Sequence, residues 1–146
     1  MYPLDFPLRI LAREKDKKKW VFDPYCGRGT TNFAARLLGM ASAGLDSSPV
    51  ATAIAQAKLA NCSSRGVQAS LQAILKDGKT PDDIPTGPFW DLAFHHSTLV
   101  DLCRIREELL RNSSSPSRKM LRAIVMGALH GPLSKGEPSY FSNQCE

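Results

Sequence analysis

No two of the ten prolines in this 146-residue chain are adjacent. No apolar run approaches the ~20 residues needed to span a bilayer. The first twenty residues carry Asp5, Arg9, Arg13, Glu14 and four lysines, and so lack the continuous apolar stretch of a secretory signal. A cytoplasmic protein is expected. Cys26, Cys62, Cys103 and Cys145 are scattered, whereas zinc sites pair their ligands at two to four residues. Neither a metal cluster nor a membrane contact is expected, and the cysteines should be reduced thiols. The sequence has no internal repeat. What remains is one soluble globular domain by length, with 42% hydrophobic residues to build a modest core.

The net charge of +5 permits a nucleic-acid partner without requiring one. Lys15, Lys17, Lys18 and Lys19 form the local basic cluster. It reads as a solvated turn before a buried strand, with a phosphate-contacting patch as the alternative.

Residues 20–32, Trp-Val-Phe-Asp-Pro-Tyr-Cys-Gly-Arg-Gly-Thr-Thr-Asn, are the most informative. A short apolar strand, Trp20 to Asp23, ends in an acid. A Gly27-x-Gly29 turn follows, then a helix from Thr31 closed by Gly39 as a C′ glycine. A second strand, Met40 to Asp46, ends in another acid. Glycines at such a turn let backbone approach a ligand because no Cβ intervenes. The helix start offers unpaired N–H groups. An acid after the second strand of a βαβ unit is placed to accept ribose hydroxyl bonds.

Beyond Asp46, Ser47 or Ser48 should cap a helix carrying Pro49 in its first turn and running to about Asn61. A further helix is expected over Gly66 to Leu75. Turn chemistry fills Lys76 to Pro88, and Phe89 to Phe94 reads equally as strand or helix. Ser97 or Thr98 should cap a helix that aligns Leu99, Leu102, Cys103, Leu109 and Leu110. Another helix should span Arg118 to Leu129, aligning Met120, Leu121, Ile124, Val125 and Ala128. Gly131-Pro132 should stop it, leaving a polar tail, Leu133 to Glu146.

The string Asp23-Pro-Tyr-Cys-Gly-Arg-Gly-Thr-Thr31, with Gly44-Leu-Asp-Ser-Ser-Pro-Val50 and Ala55-Gln-Ala-Lys-Leu59, resembles the S-adenosylmethionine (AdoMet) site of the DNA amino-methyltransferases. Those enzymes methylate N6 of adenine or N4 of cytosine. Tyr25 and Arg28 stand where the family pattern has Phe and Ser. The resemblance implies an α/β, Rossmann-like AdoMet-dependent methyltransferase fold, here a partial sheet with a helical insertion. Its cofactor-binding core would be residues 1–88, with the insertion and tail over 89–146. A complete sheet of this kind has about seven strands, of which two or three can be counted here.

The resemblance also assigns a cofactor set. Asp23 and the Gly27–Gly29 turn would seat the methionine portion of AdoMet. Asp46 would hold the ribose hydroxyls, Thr30 or Thr31 would bond the carboxylate or cap the helix, and Pro24, Tyr25, Cys26 and Ser47 complete the cofactor-binding set. Phe6 and Pro7 belong to a Tyr-Pro-x-x-Phe-Pro segment that covers the cofactor in the family, or else form a simple arm packed on the core.

Such enzymes also need Asp/Asn/Ser-Pro-Pro-aromatic, a rigid loop that accepts hydrogens from the target amino group and stacks on the flipped base. Without adjacent prolines the chain has no such motif, and no catalytic residue is assigned. The family order would place it downstream of Glu146 or in a second subunit, and DNA would be met through the complete enzyme. Phe94, His95 and His96 are a possible local substitute. The resemblance makes those histidines and His130 architectural instead. An AdoMet-binding pseudoenzyme or interaction module is the alternative function.

Overall fold

The computed structural model describes residues 2–14, 16 and 18–129. They form two units, Met1–Asn61 and Cys62–Glu146. The boundary expected at residue 88 falls inside the second.

In the first unit, α1 (Asp5–Leu11) precedes β1 (Val21–Asp23), α2 (Thr30–Leu37), β2 (Ser42–Gly44) and α3 (Pro49–Leu59). β1 and β2 pair in parallel, Val21 with Ser42, Phe22 with Ala43 and Asp23 with Gly44. The Val21 N–H donates to Ala41 O at 2.9 Å, and Leu45 N–H to Asp23 O at 3.0 Å. α2 connects the strands and buries Thr30, Asn32, Ala34 and Ala35. It ends as expected, with Gly39 at φ 72° just beyond its last turn. Ala53, Ala55 and Ala57 are the buried residues of α3, which packs on α2. Small side chains permit close backbone approach. Arg36 on α2 donates from Nη1 to Lys58 O at 2.8 Å, satisfying a carbonyl at the end of α3.

The second unit contains α4 (Ser64–Lys76), α5 (Pro88–Ala93), α6 (His96–Arg111) and α7 (Pro116–Ala128). Ile74 of α4, Ile105 and Leu109 of α6 and Leu121 of α7 make its core. Ser63 caps α4 by accepting from Gly66 N at 3.1 Å, and Ser115 caps α7 by accepting from Arg118 N at 3.2 Å. Gly66 also serves packing, since a Cβ there would lie 2.8 Å from Ser117 Oγ.

The fold class expected from the resemblance is overturned. The described residues are 59% helix and 5% strand, and the only sheet among them has two strands, so the structure does not fit a Rossmann-like α/β fold. The reasons are local. β1 stops at Asp23 because Pro24 has no N–H for a ladder. β2 consists of Ser42, Ala43 and Gly44, three residues without β-branching or an aromatic ring. The expected strand, Met40 to Asp46, therefore shrinks to its centre. Downstream, apolar residues recur at helical spacing, as in Val67, Leu71, Ile74 and Leu75, and no further strand joins among the described residues.

The two-stranded sheet leaves one face open. Phe22, 61% exposed, lies in register beside exposed Ala43. Parallel strands are usually covered on both faces, so the near-continuous apolar run of β1 had suggested more burial than occurs.

Two other segments differ from the sequence reading or resolve it. Residues 5–11 form a helix despite Pro7, because Pro7 sits in the first turn, where its missing N–H costs no bond. Phe89 to Ala93 is helical and Phe94 is its extended C-cap: Pro88 opens α5 with a φ suited to a first turn. The tail from Leu133, His130 and Cys145 lie outside the described residues, as do Lys15 and Lys17.

Candidate functional site

The turn between β1 and α2 is built by a chain of short hydrogen bonds. Asp23 closes the strand, and its Oδ1 accepts from Tyr25 N at 3.1 Å, making a local turn around Pro24. Cys26 N then donates to Leu45 O at 2.9 Å, extending the pairing one step beyond the strands. Gly27 follows at φ 52°, and its N–H donates to Asp46 Oδ2 at 2.8 Å. The other Asp46 oxygen, Oδ1, accepts from Ser48 N at 2.8 Å. One carboxylate thus ties the glycine turn after β1 to the loop after β2.

The two glycines have different duties. A Cβ on Gly27 would meet nothing within 4 Å, so the backbone there faces open space. A Cβ on Gly29, at φ 73°, would lie 2.7 Å from Ala55 Cβ and 3.0 Å from Ala55 Cα. Gly29 is therefore a packing residue, letting the start of α2 touch α3, and it has the left-handed conformation that glycine tolerates. Its own N–H donates to Cys26 O at 2.8 Å.

Thr30 is buried at the start of α2, and Thr31 is half-buried. The N–H groups of this first turn have no intrahelical partner. Thr31 Oγ1 is bonded to the Tyr2 hydroxyl. Tyr2 in turn meets Phe6 edge-to-face, with ring centroids 5.7 Å apart. Pro7 is buried and Phe6 is half exposed, and α1 packs on α2. The N-terminal segment is thus brought to the helix start through Tyr2. Pro24 and Ser47 are exposed, and Tyr25 is 88% exposed.

Cys26 Sγ is half-buried and donates weakly to Gly27 O at 3.8 Å. Burial, and then the negative charges of Asp46 and Asp23, push its thiol pKa above the usual value. The neutral thiol is accordingly a donor and not a nucleophile near pH 7. Asn32, in the first turn of α2, was missed by sequence reasoning. Its Oδ1 is buried and has no hydrogen-bond partner among the described residues. A Cβ on Gly44 would come within 2.9 Å of that oxygen and 2.8 Å of Cys26 Cβ. Asn32 and Cys26 therefore occupy the space that a side chain at Gly44 would need. A polar residue inside a short helix gives no signal of this in sequence.

The histidine pair has a local role. His95 Nδ1 bonds Ser97 Oγ at 2.9 Å at the start of α6, and His95 occupies the N-cap position expected for Ser97 or Thr98. Lys19 pairs with Glu14 at 3.0 Å on the surface. Among the described residues, no cluster of His, Cys, Asp or Glu could hold a metal ion, and no helix is long and apolar enough to cross a membrane. A cavity of about 480 Å³ lies in the second unit and is not lined by any residue of the glycine turn.

No protein-family model matches the chain, and neither a curated protein nor a solved structure resembles it beyond chance.

Proposed function

We propose that the first unit binds AdoMet at the glycine turn, as the cofactor-binding portion of a site-specific DNA methyltransferase acting on N6 of adenine or N4 of cytosine. The observation that carries this reading is the Asp46 carboxylate, bonded at 2.8 Å to both Gly27 N and Ser48 N beside the free N–H groups of α2. The residues present fit the cofactor. A carboxylate has about four acceptor positions, so two remain on Asp46 for ribose hydroxyls. Open space over Gly27 admits a ligand against backbone. The start of α2 and the Thr31 hydroxyl can receive an α-carboxylate, and the Tyr2–Phe6 pair supplies an apolar flank.

AdoMet supplies an electrophilic methyl group on a sulfonium. The residues of this chain bind and orient it, and none of them is assigned to the transfer. DNA would be met in the cytoplasm through the complete enzyme, with a partner subunit or further polypeptide carrying the Pro-Pro-aromatic loop. The net charge of +5 is compatible with that partner.

The lack of adjacent prolines favours a second reading, an AdoMet-binding module without methyl transfer. Calorimetric titration of the full chain with AdoMet tests the shared claim. Saturable binding, weakened roughly ten- to a hundredfold by Asp46→Ala, is expected from the ~1.5–3 kcal/mol of a charge-assisted hydrogen bond. No heat at millimolar AdoMet, or equal affinity in a folded Asp46→Ala variant, would remove the site. A partner that restores transfer to DNA selects the first reading, and binding that never leads to transfer selects the second.

A further inference from the structure

We propose that the cavity formed by α5, α6 and α7 in the second unit binds a small amphiphilic carboxylate, with its apolar tail among the helices and its head on Arg122. The volume, about 480 Å³, falls within the ~300–1,000 Å³ typical of small-molecule sites. Trp90 and Phe94 line one side, Leu102 and Leu109 come from α6, and Val125 and Met126 from α7. The aromatic side is internally braced: Trp90 stacks on Phe94 with centroids 6.1 Å apart and meets Phe89 edge-to-face at 5.1 Å. Such a wall is preformed, which lowers the ordering cost of binding.

The polar groups at the cavity are few and unequal. Cys103 is buried, and that burial keeps its thiol neutral. Arg106 is already committed, donating from Nη2 to Asp83 O at 2.9 Å and to Asp83 Oδ2 at 3.1 Å. Arg122 differs: among the described residues, no carboxylate lies within ion-pair distance of it. Arg122, a half-buried residue lining the apolar cavity, satisfies its guanidinium donors best with a carboxylate, which it can grip with two parallel bonds. One uncommitted cation lining one apolar chamber selects a ligand with a single anionic head and an uncharged body.

Trp20 and Trp90 are the two tryptophans of the chain. Trp20→Phe, in the other unit, therefore leaves Trp90 as a reporter inside the cavity. Titrating this full-length variant with decanoate should change Trp90 emission saturably at one equivalent. Arg122→Gln should weaken decanoate roughly tenfold and leave 1-decanol unchanged. Val125→Phe should weaken both by filling the chamber. If Val125→Phe loses helix content, the exposed Leu110→Phe provides the same steric test. Absence of a saturable Trp90 response would overturn the proposal. So would equal decanoate affinity with and without Arg122. Binding of an acidic amphipathic peptide with no decanoate response would also overturn it, in favour of a helix-docking groove.

Discussion

Gly29→Ala isolates the packing that holds the glycine turn in place. Two costs add at this position. Gly29 has φ 73°, and an L-residue held in the left-handed region loses roughly 1–2 kcal/mol. The new Cβ would also lie 2.7 Å from Ala55 Cβ and 3.0 Å from Ala55 Cα. The second of these is backbone and cannot swing away, so overpacking of about 1–3 kcal/mol applies. Lower entropy of the unfolded chain returns ~0.4–1 kcal/mol. The net expected loss is ~1–5 kcal/mol, a large share of the ~5–15 kcal/mol that stabilises a typical domain. Gly27→Ala is the matched control. Its φ is 52° and its Cβ meets nothing within 4 Å, so only the conformational cost remains, roughly 1 kcal/mol net. Urea unfolding followed by far-ultraviolet circular dichroism, with amide exchange at Phe33 to report on the first unit, should place the two variants ~1–3 kcal/mol apart. Ala55→Gly removes the 2.7 Å Cβ contact but keeps the Cα one, so combined with Gly29→Ala it should recover part of that difference, as a coupling energy in a double-mutant cycle. Equal costs for the two glycine variants, or no coupling to Ala55, would refute the packing argument.

Other outcomes follow from the same geometry. Gly27→Val should leave helix content nearly intact but abolish AdoMet binding, because its branched side chain fills the open space over the turn; calorimetry decides. Cys26 should alkylate slowly with iodoacetamide at neutral pH, with its rate rising only above the usual thiol range. Asp46→Asn should shift that rise to lower pH by removing a raising charge, as site-resolved mass spectrometry can follow. Ser48→Ala should cost ~1 kcal/mol by removing the cap to Ala51 N, while Ser47→Ala should cost little. The chain alone should transfer no tritiated methyl group to mixed-sequence DNA, and reproducible incorporation would redirect attention to Phe94, His95 and His96.

What was legible in the sequence rested on local rules. The turn from Asp23 to Gly29 could be read because glycines, a proline and a terminal acid each carry a backbone requirement. Pro49 fixed the start of α3, and the choice between Ser47 and Ser48 needed only the cap bond. Spacing of Leu99, Leu102, Cys103 and Leu109 revealed α6, although Leu110, placed on the same face by spacing, is exposed. The extent of the sheet was not legible. Strand number depends on distant segments choosing to pair, and residues beyond 61 carry helical periodicity instead. The family resemblance suggested a larger sheet than the described residues form. The helix over residues 5–11 was hidden by Pro7, a helix breaker in all but the first turn. The partners of Asp46 were hidden for another reason. Its place after β2 suggested ribose contacts, and only the fold showed that both oxygens also brace backbone.

The proposed cofactor cradle is the turn bearing Gly27 and Gly29, braced by Asp46. Nuclear magnetic resonance titration of the full, isotopically labelled chain with AdoMet tests it most directly. Saturable shifts of the Gly27, Gly29, Thr31 and Asp46 amides are expected, with the amides of α4 unmoved. Saturable shifts elsewhere with the glycine turn silent, or no shifts at millimolar AdoMet, would contradict it.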